Sequence, residues 1–132
     1  MTSIELIEEM EGFSPTIYED TLGIKTIGYG FNLESGITQK EAELLLQERL
    51  YVNSSKLASE YDWYNKLSDN RKAVIDSMVY QLGFYGFSKF KNTIKAIENQ
   101  DWDKVCYEMK DSRAYKQTTN RWKKQIEIFK KG

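Results

Sequence analysis

Three side chains in the first fifth of the chain could do acid–base chemistry together: Glu11, Asp20 and Thr26. The 132 residues contain no histidine, which excludes serine–histidine and cysteine–histidine nucleophile systems and any imidazole acid or base. The single cysteine, Cys106, allows neither an internal disulfide nor a thiolate zinc cluster, and reads as a small buried hydrophobe on a helix. There is no GxxxxGK phosphate loop and no regular Asp-x-Asp calcium loop. Carboxylates, hydroxyls, lysines and arginines remain. Hydrolysis of a glycosidic bond suits that set, because it needs one protonated carboxyl for the leaving oxygen and one ionised carboxylate to activate water or attack the sugar. Glu11 falls at the predicted C-terminus of the first helix, where the negative end of the helix dipole and the neighbouring Glu8 and Glu9 disfavour a charged carboxylate. Asp20 falls at a predicted hairpin turn. Thr26, on the returning strand, is near enough to hold a water beside it. Each residue also has an ordinary structural reading, as a solvated acid, a turn former and a β-branched strand residue.

The elements that must position these groups are mostly helical. Thr2 with Glu5 forms a capping-box pattern ahead of an apolar face of Ile4, Ile7 and Met10, and Gly12 is placed to end that helix. Residues 16–20 and 24–30 are β-type runs around Thr21-Leu22-Gly23, a hairpin signal. Thr38 with Glu41 repeats the capping pattern and opens a long helix toward Leu57. Further helices are expected over Ala73–Leu82, stopping near Gly83, and through Phe87, Phe90, Ile94 and Ile97 at three- and four-residue spacing. Asp101 and Ser112 are candidate caps, and Thr118 or Thr119 opens the last helix. The expected fold class is α+β, mainly α: a small β-hairpin lobe, a long connecting helix and a helical lobe, with a ligand cleft between the lobes.

Forty per cent apolar composition and a single proline describe a soluble globule, and no apolar run approaches the length of a membrane span. The acidic start is unlike a signal peptide, so the expected location is the cytoplasm of the producing cell. Residues 1–20 carry six acids and no base, whereas residues 110–132 carry eight bases against two acids. A basic tail containing Trp122 could suggest nucleic acid. With a pI near 5.6, a solvated helix face is the preferred reading, and no nucleic-acid partner is expected.

The run from Glu11-Gly-Phe through Asp20-Thr-Leu-Gly-Ile-Lys-Thr26-Ile-Gly-Tyr-Gly30 resembles the signature of the phage-type lysozymes, with Glu, eight residues, Asp, five residues and Thr. The stretches Gly36–Glu43, Met78–Gly83, Asp101–Asp103 and Ser112–Arg121 resemble further segments of that family, so the similarity covers nearly the whole chain. It implies a two-lobed lysozyme fold in one domain, with residues 13–37 as the β lobe, 38–59 as the connecting helix, and 60–132 with 1–12 as the helical lobe. It implies cleavage of the β-1,4 bond between N-acetylmuramic acid and N-acetylglucosamine in peptidoglycan, without cofactor or metal. Glu11 would be the general acid, with Asp20 and Thr26 placing the attacking water. Arg121 matches an arginine that approaches the catalytic glutamate in the family. Implied saccharide contacts are Asn32 (in place of an aliphatic residue), Tyr80 (phenylalanine), Thr93 (serine) and Glu108 (asparagine). Phe31 takes a histidine position, and the segment between Leu33 and Ile37 is shortened relative to the family.

The resemblance further implies a monomeric endolysin of a bacteriophage, held in the host cytoplasm until a separate holin-like permeabilising protein gives it access to the wall. Two rivals stay open. A lytic transglycosylase needs the acid but no water-placing pair. A non-catalytic wall-binding protein of the same fold has no reason to keep Glu11, Asp20 and Thr26 together.

Overall fold

Local capping chemistry sets where the helices begin. In a computed structural model describing residues 1–132, the Thr2 hydroxyl accepts the Glu5 amide at 3.1 Å, while the Glu5 carboxylate accepts the Thr2 amide at 2.8 Å. This reciprocal pair opens α1 (Ser3–Glu11). Gly12, at φ +68°, closes it by donating to the Glu8 carbonyl. Three strands follow, β1 (Ser14–Glu19), β2 (Lys25–Gly28) and β3 (Phe31–Asn32), in an antiparallel sheet ordered β1-β2-β3. The expected hairpin is present, and the third, two-residue strand is an addition to it.

The Thr38–Glu41 pair repeats the capping box at 3.1 and 2.8 Å and opens α2 (Gln39–Glu60). After a 3-10 turn at Tyr64–Lys66 come α3 (Asp69–Ser88), α4 (Lys91–Glu98), α5 (Trp102–Lys110), α6 (Arg113–Gln117) and α7 (Thr119–Lys131). Asp101 and Ser112 cap α5 and α6 as their sequence positions suggest. Gly83 interrupts α3 at φ +76°, so the expected stop there is a kink followed by one more helical turn. The run from Phe87 to Ile97 is not one helix. It breaks at Lys89–Phe90, yet all four apolar residues face the same core, so their spacing continues across the break.

The chain forms two compact units, Met1–Leu45 and Leu46–Gly132, with the boundary inside α2. In the first, Thr26 is the only buried residue and α1 buries none of its apolar side chains. Contact between Phe13 and Tyr29, with ring centroids 5.6 Å apart, ties the chain after α1 to the end of β2. The second unit holds the hydrophobic core, centred on Leu57, Ile75, Met78, Val79, Phe87, Val105, Met109, Trp122 and Phe129. Trp122 stacks on Phe90 and donates its indole N–H to Gln81 at 3.0 Å, satisfying the one polar atom that burying it would strand. Cys106 is buried among these residues, and burial pushes its thiol pKa up, as a structural cysteine requires. No helix is long and apolar enough to cross a membrane.

Candidate active site

Glu11, Asp20, Thr26 and Asn32 all lie in the first unit, and the sheet register brings two of them side by side. Thr26 sits on the central strand, paired with Tyr18 of β1 and Asn32 of β3. The residue is 3% exposed. The hydroxyl donates to the Ile24 carbonyl at 2.9 Å, which fixes the rotamer and leaves the oxygen's lone pairs free to accept.

Asp20 follows β1 directly and organises the turn. Its Oδ1 accepts the amides of Leu22 at 2.8 Å and Ile24 at 2.9 Å, and its own backbone N–H donates to the Ile24 carbonyl at 2.9 Å. This is the Asx-turn chemistry that makes aspartate a turn former. Oδ2 has no partner in the protein. Both side chains are therefore bonded to one backbone unit, Ile24: Asp20 to its amide, Thr26 to its carbonyl. Ile24 carries no chemistry of its own, and nothing in its residue type marks it for this part.

Glu11 is the last residue of α1, exposed, with its carboxyl directed at Gly30. A Cβ built on Gly30 would lie 2.8 Å from the Glu11 carboxyl carbon and closer still to Oε2. Gly30 also has φ +75°, where side-chain-bearing residues are strained. Asn32 is committed on one side: its Oδ1 accepts the amides of Glu34 at 2.9 Å and Ser35 at 3.3 Å, leaving only Nδ2 to offer a ligand.

The other expected site residues lie in the second unit. Thr93 and Glu108, from α4 and α5, line one cavity of about 380 Å³ together with Lys91, Asp111 and Arg113. The Thr93 residue is 2% exposed. Tyr80 is 48% exposed and lines a separate depression with Arg49 and Asn53, so it is not a core aromatic. Arg121 is anchored on α3, its Nη2 donating to the Ser77 carbonyl at 2.9 Å and the Ser77 hydroxyl at 3.0 Å. The charged neighbours of Thr93 and Glu108 come from different helices, and no sequence pattern announces them.

A family model described as Phage lysozyme matches residues 8–126. The chain is 29% identical over 161 aligned positions to a probable T4-type lysozyme 2 of Dictyostelium discoideum, covering 97% of this chain and 93% of that one. A second protein of that organism, probable T4-type lysozyme 1, is 28% identical with the same coverage. The pre-baseplate central spike protein Gp5 of Enterobacteria phage T4 is 24% identical over 92% of this chain, a match to 26% of its own length.

Proposed function

The chain belongs to the phage lysozyme family, and from that premise we propose that it is a muramidase, hydrolysing the β-1,4 bond between N-acetylmuramic acid and N-acetylglucosamine in bacterial peptidoglycan. Glu11 protonates the oxygen that leaves the anomeric carbon. A water donates one hydrogen bond to the free Oδ2 of Asp20 and the other to Thr26 Oγ1, which directs its lone pair at that carbon. As the new C–O bond forms, Asp20 takes the proton that the water sheds, and the water oxygen enters opposite the departing sugar. The product is inverted, and the proton on Asp20 returns to Glu11 through solvent.

The observation that supports this reading is the shared tether to Ile24, whose amide donates to Asp20 Oδ1 and whose carbonyl accepts from the Thr26 hydroxyl, so that both side chains are tied to one turn. A transglycosylase has no use for such a pair. The experiment is mass analysis of fragments released from isolated peptidoglycan. Reducing N-acetylmuramic ends are expected, together with loss of all release in Glu11→Gln at unchanged melting temperature. Anhydro-muramic ends would move the reaction to the transglycosylase class. No release from walls of varied chemistry would leave a binding protein.

A further inference from the structure

A second cavity, of about 250 Å³, opens in the helical unit where the turn after α2 meets the α4–α5 junction. It shares no residue with the Thr93–Glu108 cavity. Two indoles line it, Trp63 and Trp102, and each is braced by a neighbour. Trp63 stacks on Tyr61 with centroids 4.9 Å apart, and the Arg71 guanidinium sits 4.2 Å from the Trp102 ring centroid. Leu67 and Ile97 add apolar surface; Asp62, Lys66, Glu98 and Gln100 supply the polar groups, and none of these four side chains is engaged in a hydrogen bond or ion pair. Fixed aromatic rings beside unengaged carboxylate and amide groups suit a ligand with an apolar ring face and a rim of hydroxyls. The two acids are balanced by Lys66 and by the Arg71 guanidinium over Trp102, so the surroundings carry no net charge and suit a neutral ring. The volume lies below the roughly 300–1,000 Å³ of a drug-sized pocket, as a single sugar ring would require.

Gln100 adds an independent observation. It is the only non-glycine residue with positive φ (+55°). Its amide donates to the Ile97 carbonyl and that of Asp101 to the Ala96 carbonyl, both at 2.9 Å, which is the helix ending that glycine fits at least cost. The fold alone would favour glycine here; a glutamine sets a carboxamide on the cavity wall instead.

We propose that this cavity binds a neutral N-acetylated hexosamine ring of a glycan strand, as a site separate from the one where hydrolysis takes place. The acetamido group would pair with the Gln100 carboxamide, and sugar hydroxyls would donate to Asp62 and Glu98. The choice of glycan rests on the muramidase reading; the binding itself does not.

The test uses full-length protein labelled with 15N at its tryptophans and titrated with tri-N-acetylchitotriose. The indole resonances of Trp63 and Trp102 are expected to shift saturably in the millimolar range, while that of buried Trp122 stays in place. Gln100→Gly should raise the melting temperature by a few degrees, yet weaken this binding roughly three- to tenfold. It should leave hydrolysis of small soluble wall fragments unchanged. Unmoved Trp63 and Trp102 resonances, or a Gln100→Gly protein that binds as tightly as the parent, would overturn the proposal. Saturable shifts in a protein that releases no wall fragments would keep this site and remove the muramidase.

Discussion

The carboxyl group of Glu11 occupies the space that a side chain on Gly30 would need. A helix terminus and a strand-to-strand turn are thereby held together around the expected general acid, and the glycine is what allows the approach. Gly30→Ala meets two penalties, a Cβ against the carboxyl and a side chain at φ +75°. We expect about 1–3 kcal/mol of destabilisation. Turnover should fall roughly 100-fold or more, because an acid displaced by about 1 Å no longer meets the leaving oxygen. Thermal melts and wall-fragment release read the two effects separately. Unchanged release would detach Glu11 from the chemistry.

Asp20 has two tasks that substitution can separate. Oδ1 holds the turn through two amides, whereas the free Oδ2 is the proposed water acceptor. Asn at this position keeps a carbonyl oxygen for the turn and loses the base. Asp20→Asn should therefore melt close to the parent while release falls roughly 100- to 10,000-fold. Asp20→Ala should lose both, with about 1–2 kcal/mol of stability gone as the two turn bonds are removed. Equal melting temperatures for the two variants would show that the turn bonds contribute nothing.

What the sequence made legible follows the range of the interactions. The Thr2–Glu5 and Thr38–Glu41 boxes and the Asp101 and Ser112 caps close over three residues, so their chemistry is written in adjacent letters. Asp20 and Thr26 share one hairpin, and their relation could be read the same way. Strand β3, only two residues long, offers no alternation to detect. The break at Phe90 is hidden because α3 and α4 present apolar residues to one core in continuous period. Gln81, Trp122 and Thr118 form a hydrogen-bonded chain across 37 and 41 residues of sequence, and only folding brings those partners together. The gathering of Thr93 with Glu108 is of the same long-range kind.

Thr26 tests whether a hydroxyl or only a β-branched shape is needed on the central strand. Thr26→Ser keeps the donor to the Ile24 carbonyl and the free lone pairs, whereas Thr26→Val keeps the shape and leaves that carbonyl only the Asp20 amide. The valine variant should lose about 0.5–1.5 kcal/mol and most of its turnover. The serine variant should retain most of its turnover. Valine with parental fragment release would remove Thr26 from water placement and return it to a purely structural role.

Stability at high pH should depend on a pair far from this chemistry in sequence. The Tyr64 hydroxyl donates to Asp76 at 2.6 Å, and Ser54 approaches the same carboxylate at 3.4 Å. Burial, reinforced by the bond to Asp76, pushes the Tyr64 pKa up from 10 to about 12. Asp76 is itself raised by burial, an effect that the bonds from Tyr64 and Ser54 and the nearby Lys72 partly offset. Because Tyr64 holds its proton more tightly folded than unfolded, its contribution is complete below pH 10 and is lost as pH rises from 10 to 12. Tyr64→Phe removes the hydroxyl and leaves the half-buried carboxylate short of a donor, so it should cost about 1–3 kcal/mol at neutral pH. The gap in melting temperature between parent and variant should then narrow from pH 10 to 12, measured by circular dichroism at matched ionic strength. A gap that stays constant across that range would mean that Tyr64 ionises alike in the folded and unfolded chains, and that its bond to Asp76 does not hold the proton.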